Sequence, residues 1–206
     1  MQKALTAIVR LSFNEYKSNN HIRQIGTEGE EESRKRISME SSKALVVIDI
    51  QNDITKNYRK IIDGINSAIE WAEKRGMTVV YIKHNNLSPG TRTFKPGTRG
   101  EELAPELKVV SDNVFVKTNA SALTSEGFLE FIRSNGLNEF YVVGADATAC
   151  VKSTCLNMRK AGYTVRVISD CVTSYDLQKM DEMLAYYASK GCEVRPLADY
   201  VGTGLR

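Results

Sequence analysis

The sequence predicts an α/β fold: one open parallel sheet of about six strands with helices on both faces. Three observations predict it. From Lys43 onward, short runs rich in valine and isoleucine alternate with longer stretches of helical spacing. The first run, ALVVIDI, is apolar almost without a break, as a strand covered on both faces requires. Three helical stretches close on a glycine (Gly76, Gly162, Gly191), the residue that most readily takes the left-handed C-cap conformation.

The elements follow in order. Ala44 to Ile50 is the first strand. Arg59 to Arg75 is a helix, because Ile61, Ile62, Ile65, Ala68, Ile69 and Ala72 fall on one face. Thr78 to Ile82 is the second strand. The turn-rich stretch His84 to Gly100 is long for a connection inside a compact domain, which marks it for function. Val114 to Val116 is the third strand, Ser125 to Ser134 a helix and Phe140 to Val143 the fourth strand. Thr148 to Ala161 is a helix and Val165 to Ile168 the fifth strand. Leu177 to Ser189 is the last helix, and Glu193 to Arg195 opens a short sixth strand.

Residues 41–206 are expected to form this domain and residues 1–40 an N-terminal arm. Gly26 to Arg36 (GTEGEEESRKR) has no apolar residue to bury. Ala4 to Tyr16 could form a short amphipathic helix, read as a flexible or oligomer-docking arm, with a targeting peptide or a true start at Met39 as alternatives. A 42% hydrophobic and 26% charged composition excludes a fibrous, a fully disordered and a membrane-bundle protein. The 28 basic and 25 acidic residues leave +3, too little to point to a nucleic-acid or membrane partner. The four cysteines form no C-x-x-C pair, so neither a zinc ribbon nor a thioredoxin motif fits; they read as reduced thiols of a cytoplasmic protein.

Ligands of an open parallel sheet bind outside the carboxyl ends of its strands. Three reactive residues fall there. Asp49 ends the first strand, Lys117 ends the third, and Cys150 lies just past the fourth at a helix start. A thiol at a helix N-terminus meets unpaired N–H groups and the positive pole of the dipole. A nearby ammonium favours its thiolate, so an acidic thiol is expected. A carboxylate can take the thiol proton and return it to a leaving group. The peptide N–H of Cys150 and its neighbours can hold an oxyanion. The set describes acyl transfer through a thioester, without a histidine base.

These residues carry a resemblance. ALVVIDIQND (Ala44 to Asp53), VFVKTNASAL (Val114 to Leu123) and GADATACVKSTCLNMRKAGYTVRVISD (Gly144 to Asp170) are similar, in order and spacing, to the isochorismatase-like cysteine hydrolase superfamily. The resemblance implies a Rossmann-like fold, with Asp49 as base, Lys117 as supporting cation and Cys150 as nucleophile. It also implies a cis peptide between Ala145 and Asp146, with an oxyanion hole made by the N–H groups of Asp146 and Cys150. Gln51 belongs to the first motif and could support the site or contact substrate. Nicotinamidases of the superfamily carry Asp-x-His after the second strand and a further histidine, binding a metal. Here that stretch reads His84-Asn85-Asn86, and the only other histidine is His21, so neither metal nor cofactor is expected. Isochorismatases proper, which cleave a vinyl ether, lack the cysteine. A hydrolase of small amide, ureido or carbamoyl substrates remains, with a vinyl ether hydrolase or a non-catalytic binding protein as alternatives. The superfamily often forms dimers or tetramers, so a homo-oligomer is expected.

Other residues are candidates for contacts. His84 should face the rim and could touch substrate; Phe94 could wall a pocket; Arg92 and Arg99 could pair with a substrate carboxylate. Cys155, Cys171 and Cys192 read as small buried residues.

Overall fold

The computed structural model describes residues 42–202. The expectations for residues 1–40, for His21 and for Met39 lie outside the described residues. Six parallel strands, β1 (Lys43–Ile48), β2 (Thr78–His84), β3 (Val114–Lys117), β4 (Glu139–Ala145), β5 (Thr164–Thr173) and β6 (Glu193–Arg195), form one sheet in the order β3-β2-β1-β4-β5-β6. The chain moves outward in one direction from β1 to β3, then returns to the other side of β1 for β4 to β6. The order therefore reverses between β1 and β4, and a crevice opens at that point above the carboxyl ends.

Strand periodicity divides the core in two. Ala44, Val46 and Ile48 face helices α3 (Glu126–Ser134), α4 (Cys150–Lys160) and α5 (Met180–Ser189), packing with Phe128, Val151, Met158 and Tyr187. Leu45 and Val47 point the other way, onto α2 (Ile62–Lys74) and the short α6 (Leu197–Gly202), among Ile65, Ile69 and Tyr200. The residues of β1 from Ala44 to Ile48 are at most 1% exposed, which is why that run reads as apolar without alternation. Among the described residues, no helix is long and apolar enough to cross a membrane.

Several boundaries differ from the sequence reading. A helix starts at Asn52, not Arg59: α1 (Asn52–Tyr58) runs through a 3-10 turn (Arg59–Ile61) into α2. No apolar stripe marks α1, because tertiary bonds hold it. The Asn52 amide donates to the Arg99 carbonyl at 2.7 Å, and Asp53 accepts the Phe94 N–H at 2.6 Å. The last helix of the sequence reading begins as a 3-10 turn (Leu177–Lys179), and the short α6 was not anticipated. β5 also runs five residues past Ile168, its register with β4 shifting between Val142 and Gly144.

Candidate active site

The site is assembled by strand ends. β2 and β3 pair in a register that sets His84 beside Lys117. Both continue the face of the residue two places earlier, Ile82 and Phe115, which packs under α3 and α4. Their side chains therefore project toward the helix face that carries Cys150. Asp49, just past the end of β1, has φ 53, a left-handed conformation uncommon outside glycine that aspartate tolerates better than most. Its N–H still bonds the Ile82 carbonyl at 2.9 Å, so the chain turns only after the ladder is complete. Strained residues of this kind concentrate at functional sites.

Cys150 is the first residue of α4. The preceding Ala149 offers no side-chain cap, and the first turn carries no acidic residue. The Ala149 and Val151 N–H groups both bond the Asp146 carbonyl, at 3.1 and 3.0 Å. The N–H groups of Asp146 and Cys150 have no hydrogen-bond partner among the described residues. The Ala145–Asp146 peptide is cis. The Asp146 carboxylate ties the surrounding loops together, accepting from the Thr148 N–H (2.6 Å) and hydroxyl (2.8 Å), the Ser174 hydroxyl (3.0 Å) and the Tyr175 N–H (2.6 Å).

At the centre stands Lys117, 1% exposed. Its Nζ lies 2.9 Å from Asp49 Oδ2, 3.0 Å from His84 Nδ1 and 3.4 Å from Cys150 Sγ. The other Asp49 oxygen, Oδ1, is buried without a hydrogen-bond partner. Burial is the largest influence on Asp49 and raises its carboxyl above the usual range, against the attraction of Lys117. Burial also pushes the Cys150 thiol up to about 12; the Asp49 charge adds to this, and Lys117 opposes it without winning. The acidic thiol expected from the sequence is therefore not found: the cation was legible there, but the depth of burial and the facing carboxylate were not. A protonated thiol facing a carboxyl group whose charged form is disfavoured by burial is an arrangement for proton transfer during attack.

Of the residues considered for substrate contact, two line one cavity. Phe94 and Arg92, with Tyr58, Ile54 and Tyr175, border a cavity of about 330 Å³ whose rim includes Asp146. That volume suits a small molecule. Phe94 also has left-handed backbone (φ 54), and its ring meets His84 edge-on at 5.7 Å. His84 does not line this cavity but sits behind Phe94 against Lys117. Arg99 does not line it either. Gln51 takes the supporting role, and its expected substrate contact is corrected: it is fully buried, its amide donating to the carbonyls of His84 (3.0 Å) and Glu101 (2.8 Å) and accepting the His84 N–H (2.7 Å). It braces backbone and is not placed to meet substrate. Tyr58 and Tyr175 were missed, since neither stands in a motif and only the fold brings them together. A divalent metal of the nicotinamidase kind does not fit the residues present. Lys117 takes His84 Nδ1, and no group of three or more His, Cys, Asp or Glu able to hold a metal occurs among the described residues.

Comparison with known proteins finds relatives of this chain in sequence and in fold. The sequence model described as "Isochorismatase domain" matches residues 43–199. The chain is 24% identical to the nicotinamidase of Escherichia coli (strain K12), over 78% of this chain and 98% of that protein. An isochorismatase family protein from Desulfovibrio vulgaris superposes with a TM-score of 0.71 at 20% identity, over 77% of this chain and 96% of that one. The N-carbamoylsarcosine amidase from Thermoplasma acidophilum superposes with a TM-score of 0.65 at 24% identity, over 75% and 96%.

Proposed function

This chain belongs to the isochorismatase family, and from that premise we propose that it hydrolyses a C–N bond of a small amide, ureido or carbamoyl compound through a thioester on Cys150. One observation carries the proposal. A buried lysine bridges a carboxylate and a thiol, at 2.9 and 3.4 Å, while the second carboxylate oxygen is left without a partner. An unpartnered buried acceptor costs on the order of 1–3 kcal/mol and calls for a reason. Accepting a proton supplies one.

In the proposed reaction the Cys150 sulfur attacks the substrate carbonyl carbon as Asp49 takes the thiol proton. The carbonyl oxygen becomes an oxyanion and is held by the Asp146 and Cys150 N–H groups, at the positive end of α4. Asp49 returns the proton to the departing nitrogen, and the C–N bond breaks to leave a thioester. Water then attacks the thioester with Asp49 again as base, releasing the acid and the thiol. Lys117 stabilises the carboxylate and the developing negative charge at sulfur. The presence of Cys150 sets this reading apart from vinyl ether hydrolysis, which needs no nucleophile. The names of two relatives, a nicotinamidase and a carbamoylsarcosine amidase, support amide hydrolysis.

The test is an ammonia-release screen over simple amides, ureido acids and carbamoyl amino acids, with Cys150→Ala as the blank. Cys150-dependent release from at least one class is expected. Release that persists in Cys150→Ala on every responsive substrate would remove the nucleophile from the account.

A further inference from the structure

The half-buried imidazole of His84 meets the protein at several points. Its Nδ1 lies 3.0 Å from Lys117 Nζ, and the nearby Asn119 backbone acts weakly on the ring in favour of its protonated form. Gln51 holds the His84 backbone, accepting its N–H at 2.7 Å and donating to its carbonyl at 3.0 Å. Phe94, held in left-handed backbone by Asp53, packs edge-on against it. A lysine ammonium has three N–H donors. Lys117 is buried, so each donor needs an acceptor. Asp49 and Cys150 supply two. Nothing in the proposed chemistry requires the third, yet it is present.

From this geometry we infer that His84 is a positioning residue: its neutral imidazole, accepting at Nδ1, fixes the Lys117 ammonium midway between the base and the nucleophile. The inference rests on the reading of Asp49, Lys117 and Cys150 given above and extends it. The electrostatics agree. Burial and the Lys117 charge lower the His84 pKa to about 4, so the ring is neutral over the working range and free to accept. Lys117 is the charged group acting on the ring; Phe94 and the Asn119 backbone, its other neighbours, carry no charge. Without this acceptor the ammonium would be drawn toward Asp49, the anionic partner, and away from sulfur.

Two measurements test the inference without any substrate. The first is the rate of Cys150 alkylation by iodoacetamide in the full chain. His84→Leu removes the acceptor at similar volume, and a five-fold or greater slowing is expected. His84→Asn keeps an oxygen near the Nδ1 position and is expected to recover most of the lost rate. Equal rates in wild type and His84→Leu, or equal slowing in both variants, would overturn the inference. The second holds even if His84→Leu does not fold. The chain has two histidines, His21 and His84, so ring ¹⁵N spectra assign them by comparison with His84→Asn. His84 is expected as the Nε2–H tautomer titrating near 4, and higher in Lys117→Met. A protonated Nδ1 in the neutral ring, or a titration near 6.5 that Lys117→Met leaves unchanged, would refute it. Neither measurement depends on a thioester, so failure of the hydrolytic reading would show separately, in the ammonia screen.

Discussion

Lys117 is a buried cation whose three donors meet a carboxylate, an imidazole and a thiol, and the properties of each partner follow from that meeting. Asp49 is the partner whose removal is most informative. Asp49→Asn is nearly isosteric and keeps an acceptor for Lys117, so the fold should persist. General base catalysis contributes on the order of 10²- to 10⁴-fold, and turnover should fall by that factor. Cys150 should respond in the opposite sense. The Asp49 charge helps push its thiol up to about 12, so Asp49→Asn lowers that value and speeds alkylation at fixed pH. Lys117→Met removes an opposing influence and slows it. Because burial raises the Asp49 carboxyl, its ionised form is lost as the pH falls through a value above the ordinary 3.8; the acid limb of the activity profile should lie there and vanish in Asp49→Asn. Slowed alkylation in Asp49→Asn would show that the carboxylate does not face the thiol. All three residues were legible in the sequence, because strand ends and a helix start are read from local pattern. The state of the thiol was not, because it depends on burial and on a neighbour 101 positions away in the chain.

At the scale of elements, the site depends on how closely β1 and β4 approach at the reversal of strand order. Gly144, in β4, lies beside Ile48 with φ 117. A Cβ there would come within 2.2 Å of the Ile48 carbonyl oxygen, one residue before Asp49. Gly144→Ala should therefore cost on the order of 3 kcal/mol, from strain and overpacking together. Thermal unfolding should show a midpoint lower by roughly 10 °C. A midpoint within 2 °C of wild type would mean that β4 shifts freely and that the crevice is less rigid than described. Elements with apolar periodicity, such as α2, were readable from the sequence. α1 was not, since its polar run NDITKNY is held by bonds to residues 94, 99 and 102, more than forty positions later. Which of its two expected roles Gln51 takes was hidden for the same reason. A polar residue in a motif looks like a ligand contact until its carbonyl and N–H partners are known.

For the whole molecule, β1 is central to the sheet and buried from Ala44 onward, and the family match begins at residue 43. A chain beginning at Met39 should therefore fold and retain the activity of the full chain, because it holds every strand and every site residue described. Comparison of thermal midpoints and of ammonia release between the two chains checks this. An insoluble or inactive shorter chain would give the first 38 residues a part in folding or at the site. The alternation of strands and helices made the sheet legible in the sequence. Its order was not, since periodicity does not say on which side of β1 the fourth strand returns. That return places Cys150 across from Asp49 and creates the site.

The central proposal is a covalent bond between Cys150 and the acyl part of the substrate. Intact-mass spectrometry after rapid acid quench, with a substrate found by the ammonia screen, tests it most directly. A mass increase equal to the acyl group is expected within the first turnovers, mapped to the peptide bearing Cys150 and labile to hydroxylamine. It should be absent from Cys150→Ser and Cys150→Ala. Full turnover in Cys150→Ala, or an acyl group mapped to any residue other than Cys150, would contradict the covalent mechanism.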